Sequence, residues 1–179
     1  MKDFYELAQR RQSCRNFKDK AVDGELLVRC VKAASLAPSA CNSQPWKFVI
    51  VTNDEKKGAL AKLVQEIGLN KWAEAAPAFI VVAEEAAPVL MPIVVEHYDP
   101  KRYSEGDVGM ATAYLILEAA EQGLGCCIIG TFNDADVKAL LGLPEGDTVR
   151  AVVALGYAAD ESVRQKKRKD VSEIAKIID

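Results

Sequence analysis

Three segments of the chain combine residue types better suited to an anion or a flat ring than to filling a core. The first, Arg10-Arg11-Gln12-Ser13-Cys14-Arg15, sets three guanidiniums within six residues around a serine hydroxyl. Such a group could clamp a phosphate through charge-assisted, partly bidentate bonds, although cations at a helix end also simply favour the macrodipole. The second, Ala37-Pro38-Ser39-Ala40-Cys41-Asn42-Ser43-Gln44-Pro45-Trp46, brackets small residues between two prolines. Small side chains let backbone approach a flat ligand closely, and Asn42 and Gln44 add amide donors and acceptors, while Pro and Ser also mark ordinary turns. The third, Gly123 to Gly130, ends a strand in a glycine that exposes backbone N–H groups. Neither G-x-G-x-x-G nor G-x-x-x-x-G-K-[ST] stands in the chain, so dinucleotide and P-loop sites of those types are unsupported.

The side chains offer little chemistry of their own. His97 is the single histidine, and any Ser-His-Asp or Cys-His mechanism would have to run through it. No G-x-S-x-G elbow presents a serine. His97 therefore reads as a surface or lid residue, and no catalytic side chain is assigned. The five cysteines, Cys14, Cys30, Cys41, Cys126 and Cys127, form no C-x-x-C, so no metal site is expected. Their odd number fits reduced thiols. Cys126 and Cys127, inside the apolar GLGCCIIG, read as small buried hydrophobes. If the chain is an enzyme, its chemistry comes from a cofactor.

The elements that must position these segments follow from the hydrophobic pattern. The chain has 179 residues, 50% apolar, with 23 Lys+Arg against 26 Asp+Glu. That length predicts one domain, spanning 1–179. The mildly acidic balance argues against a nucleic-acid partner, and no apolar run reaches a membrane span. The N-terminal MKDFYELAQRRQ reads as helical rather than as a signal peptide, so a soluble cytoplasmic protein is expected. Helices are predicted over Asp3 to Gln12, from Asp23 to Pro38, over Asp54 to Ile67 behind an Asn53 cap, and from Asn133 to before Leu143-Pro144. Strands are predicted at Trp46–Thr52, Phe79–Ala83, Gly125–Gly130 and Thr148–Gly156. Residues 84 to 103, with three prolines, read as an irregular loop or lid. From Ser104 to Gln122 a helix is expected whose only charge between Val108 and Ala120 is Glu118. A helix apolar almost all round is buried on every side, in the domain centre or between subunits. The tail from Asp160 is polar and basic, and the whole reads as one α+β or mixed α/β domain.

Together the segments resemble the FMN-dependent nitroreductase family in its short form. R-Q-S-C-R-N-F at 11–17 is similar to the family's R-x-S-x-R/K-x-F/Y, and A-P-S-A-C-N-S-Q-P-W at 37–46 to its A-P-S-x-x-N-x-Q-P-W. D-V-G at 107–109 with the helix and strand after it, and K-K-R at 166–168, complete the series in order. The resemblance implies an α+β fold, a mixed or antiparallel sheet flanked by helices. It also implies an intertwined homodimer around a long buried central helix, with the tail, about 160–179, crossing to the partner subunit. It implies FMN at the interface. Arg11, Ser13, Lys166 and Arg168 would hold its phosphate, Gln12 would contribute backbone, and Arg15 would lie near the pyrimidine edge. Pro38, Ser39, Ala40 and Asn42 would line the ring from the other subunit. Asn70 would bond the isoalloxazine, and Ile128, Ile129 and Gly130 would bring N–H groups to its N5 and O4 edge. Larger members often have Glu where Ile129 stands and a lysine near Ala73.

The implied reaction passes a hydride from NADH or NADPH through the flavin to a small acceptor such as a nitroaromatic or a quinone. Specialised flavin chemistry (dehalogenation, azoline oxidation or flavin fragmentation) is a rival within the family. A flavin-binding redox sensor without efficient turnover, motivated by Cys41 and Cys126-Cys127, is a rival from another class. A dimeric structural protein without cofactor is the third.

Overall fold

The computed structural model describes residues 3–178. Among them, seven α-helices surround a four-stranded sheet in the order β1-β2-β4-β3, every pairing antiparallel. The strands are β1 (Trp46–Val51), β2 (Ala78–Glu84), β3 (Gly125–Ile129) and β4 (Thr148–Gly156). The central strands β2 and β4 are continuous apolar runs because both their faces are covered. On one face Ala78, Ile80, Val82, Val153 and Leu155 pack with Leu27, Cys30, Val108, Ala111 and Leu115. On the other, Phe79, Val81, Val152 and Ala154 pack with Leu60, Val64 and Val137. The period-two alternation of each strand thus divides its side chains between two cores.

The first core is closed by α2 (Gly24–Ala34) and α5 (Lys101–Glu121), the second by α3 (Asp54–Leu63) and α6 (Asp134–Leu141). Asp23, Asn53 and Asn133 accept backbone N–H bonds as the caps of α2, α3 and α6. Several expected ends move. The first helix, α1 (Phe4–Arg10), stops before Gln12, because the chain turns extended and Ser13 bridges Cys126 in parallel. Helix α2 stops at Ala34, four residues before Pro38, and α3 stops at Leu63, followed by turns to Gly68 at φ 76°. Strand β3 ends at Ile129, one residue before Gly130.

Residues 84 to 103 are not the irregular loop expected. They contain α4 (Pro92–His97) and the first turn of α5. Pro92 opens α4 where its missing N–H costs nothing, and Pro100 stands directly before α5. His97 is exposed on α4, as expected, with Nδ1 2.9 Å from the Ile93 carbonyl.

Helix α5 departs from its expected burial within this chain. Val108, Ala111, Thr112, Leu115 and Ala119 face the core, but Gly106, Gly109, Met110, Ala113 and Tyr114 lie open. Their three- and four-residue spacing forms one apolar stripe on the outer face, in which small residues flank Met110 and Tyr114. At the exit of β4, a Cβ on Gly156 would meet Pro77 Cγ at 2.6 Å and Phe17 Cδ1 at 2.8 Å, so only glycine fits. The chain then turns back beside residues 16–18, and α7 (Val171–Ile174) follows behind an Asp170–Glu173 capping box. No helix among the described residues is long and apolar enough to cross a membrane.

Candidate cofactor site

Strand β3 is one edge of the sheet, and the segment after α1 lies along it. The Cys14 amide donates to the Cys126 carbonyl at 2.9 Å, and Lys18 N donates to Tyr157 O at 2.8 Å. This pairing sets Arg11, Gln12, Ser13 and Arg15 on the walls of a cleft of about 510 Å³. Residues 160–164 form the opposite wall.

The tail closes on this segment through specific bonds. Arg164 Nη2 donates to Ser13 O at 2.7 Å, and Lys166 Nζ donates to Ala8 O at 2.7 Å and to Gln9 O. Lys166 thereby satisfies carbonyls left open at the C-terminus of α1, where a cation is favoured. Burial, then the neighbouring Arg11 and Arg168 guanidiniums, holds the Lys166 ammonium below its ordinary value. Like charges are therefore gathered here rather than dispersed. Among the described residues, no carboxylate lies within 4.0 Å of the charged nitrogens of Arg11, Arg15, Lys166 or Arg168. Four cations with no ion-pair partner among those residues, in a chain of net charge −3, make a donor set that fits a phosphate, although Asp160 and Glu161 also line the cleft.

Beside the cations, Cys127 is 3% exposed. Burial pushes its thiol up, opposed by Arg15, the Ser13 hydroxyl and Arg11. Burial likewise pushes Cys126 up to about 12 and Cys30 to about 11, with Glu118 adding to the effect on Cys30. These are inert, protonated thiols at neutral pH, as their apolar setting implied.

Further along β3, Ile128 and Gly130 are exposed and Ile129 is buried. Asn70 joins this end of the strand. Its Nδ2 donates to Thr131 Oγ1 at 2.8 Å and to Val64 O at 3.0 Å. Both amide protons are thus held, leaving Oδ1 as the face Asn70 can offer a ligand. The Thr131 partnership carried no signal in the sequence.

The loop from Pro38 to Asn42 is not part of this cleft within one chain. Its Ala40 amide donates to Asp107 Oδ2 at 3.0 Å, near the start of α5. Arg10, by contrast, donates to Ala120 O at 3.1 Å at the far end of that helix. Thirteen residues of helix separate the two attachment points, about 20 Å. Within the loop, Cys41, Asn42 and Gln44 hold positive φ of 52°, 53° and 49°. Such conformations persist only where the surroundings enforce them. Here Asp107, and the Ser39 hydroxyl accepting from Gln44 N at 3.0 Å, do so.

A family model for the nitroreductase family matches residues 8–157. The chain belongs to the nitroreductase family. Its fold is the nitroreductase fold, α+β with an antiparallel sheet, as expected. An FMN-dependent nitroreductase of Clostridium difficile superposes with a TM-score of 0.73 at 27% identity, covering 95% of this chain and 94% of that one. An iodotyrosine deiodinase of Thermotoga neapolitana is 29% identical over 175 residues, 89% of this chain and 91% of the relative. An NADH dehydrogenase of Thermus thermophilus is 29% identical over 178 residues, 86% of each. The proteins this chain resembles thus carry the names of different reactions, nitroreduction, deiodination and NADH oxidation, and the solved nitroreductase among these three is FMN-dependent.

Proposed function

We propose that this chain is an FMN-dependent oxidoreductase that takes a hydride from NAD(P)H and delivers it to a small acceptor, a nitroaromatic, a quinone or a molecule of similar size. The observation that carries the reading is that Arg11 and Arg15 on the cleft wall, with Lys166 close to Arg11 and Arg168, form a group of four cations, none of them ion-paired with a carboxylate among the described residues. When bound, FMN supplies the hydride chemistry, and the chain supplies position, charge and shape. Arg11, Ser13, Lys166 and Arg168 hold the phosphate, and Arg15 brings positive charge toward the ring. Asn70 offers Oδ1, and Ile128 and Gly130 offer backbone N–H groups at the end of β3, whereas the N–H of Ile129, one residue out of step with the edge-facing Cys126, is turned toward β4. No titrating side chain is asked to move a proton.

The functional unit in this reading is a homodimer. The loop of Pro38, Ser39, Ala40 and Asn42 and the cation cluster lie at opposite ends of α5, and an open apolar stripe runs between them. A second copy packed on that stripe in the opposite sense would bring its loop to the first copy's cations, and the reverse. Of the tail expected to cross, about 160–179, Ser162, Arg164 and Lys166 bond within their own chain. In this reading the crossing part is therefore that beyond Arg168, with Val171, Ile174, Ile177 and Ile178 all exposed. The five free thiols suit a reducing compartment, and we place the protein in the cytoplasm.

The test is a visible absorption spectrum of the purified protein, then NAD(P)H oxidation with and without a nitroaromatic. A yellow protein with acceptor-dependent turnover supports the proposal. A colourless protein that fails to take up added FMN sinks it. Bound FMN without turnover would favour the sensor. The likeness to a deiodinase motivates a second reading, reductive removal of a halide from an aromatic ring. Iodide release from 3-iodotyrosine under reducing conditions, outpacing nitroaromatic reduction, would favour it.

A further inference from the structure

Gln12 was expected to serve the cofactor through its backbone, but its side chain is committed elsewhere. Its Nε2 donates to Ser162 O at 2.6 Å, and its Oε1 accepts from Arg164 N at 3.1 Å. One primary amide thus pairs with both the carbonyl of residue 162 and the N–H of residue 164, as a neighbouring strand would. Arg164 Nε adds a second bond to the same Oε1 at 3.2 Å, and its Nη2 reaches Ser13 O. These bonds join positions about 150 apart in sequence, across the cleft that Arg11 and Ser13 line. Two residues further on, Lys166 meets the end of α1.

We propose that Gln12 is a positioning residue, a clamp that registers the tail so that Lys166 and Arg168 converge with Arg11 and Ser13 on one phosphate. This rests on the FMN reading above. The physical reason is chain entropy. Residues 160–169 contain no regular element, so without an anchor each would lose backbone freedom when the ligand orders it. A tail held beforehand leaves less of that cost to binding. Gln12 suits the task because an amide both donates and accepts, which a cationic side chain at the same place could not do.

The experiment uses the full-length protein and Gln12→Met, which keeps length and volume but cannot pair with backbone. Tryptic cleavage within Arg164–Lys169 is followed before and after addition of FMN, and FMN affinity is measured by flavin fluorescence. The proposal expects faster tail cleavage without flavin and an FMN dissociation constant raised about tenfold. In a Lys166→Ala, Arg168→Ala background, Gln12→Met should cost little more, since the groups it positions are gone. Unchanged cleavage overturns the clamp. Faster cleavage with unchanged FMN affinity, or a full additional loss in the double-variant background, overturns the link to the phosphate. Failure of the unmodified protein to bind FMN would sink the cofactor reading instead, and cleavage measured without flavin keeps the two failures apart.

Discussion

Asp107 and Ala40 join the central helix to the loop after α2. The Asp107 carboxylate, 6% exposed, accepts the Ala40 amide at 3.0 Å, and three left-handed residues follow within four positions. Asp107→Ala strands that amide and should cost about 1–2 kcal/mol in urea unfolding. Hydrogen exchange at Ala40 should quicken, while Asp107→Asn, keeping an acceptor oxygen, should retain most of the protection. Equal behaviour of the two variants would refute a hydrogen-bonding role for this carboxylate.

Arg168 stands in the cation group with Lys166 and Arg11. Arg168→Ala should weaken FMN binding about tenfold and flatten its dependence on salt, because a charge-assisted contact has been removed. Unchanged affinity at low salt would place the tail outside the cofactor site.

The outer stripe of α5 includes Ala113 between Met110 and Tyr114, all exposed within the chain. Ala113→Arg should yield a folded monomer by light scattering, with native far-UV circular dichroism and poor retention of FMN. A dimer that survives this charge would show that copies meet elsewhere.

The buried thiols set an alkaline limit. Cys126 and Cys30 titrate at about 12 and 11 in the folded chain, against an ordinary value of 9.0. Their raised values mean that the folded state holds protons the unfolded state has released. Stability from these groups is fully present below pH 9 and falls as pH rises through 11 to 12, by about 1.4 kcal/mol per unit for each thiol. Unfolding midpoints of Cys126→Ala measured from pH 8 to 11 should fall less steeply than those of the unaltered chain. At pH 8, iodoacetamide should label exposed Cys41 and spare Cys126.

Strands and motif segments were legible because their signals are local. The run Thr148–Gly156 reads as a strand from its β-branched residues alone, and it is one. Helix α4 was hidden by Pro88, Pro92 and Pro100, which read as breakers although two of them stand at helix starts. The coverage of α5 was legible as a pattern but not as an arrangement, since apolarity all round does not say which face a second molecule would take. Long-range polar pairs were not legible at all. Gln12 meets residues 162 and 164, Asn70 meets Thr131, and Asp107 meets Ala40, none through any local periodicity.

Helix α5 has a consequence for how this chain can vary. Adding one residue between Asp107 and Ala120 would lengthen the helix by about 1.5 Å and turn one end by about 100° against the other. In the proposed homodimer, the loop held by Asp107 and the arginine segment resting on Ala120 would then miss each other. Under the proposed function the helix is in that sense a gauge, its length matched to the span of the bound molecule rather than to the depth of the core. Insertions should therefore be tolerated between Glu84 and Pro100, and rejected inside the helix that follows.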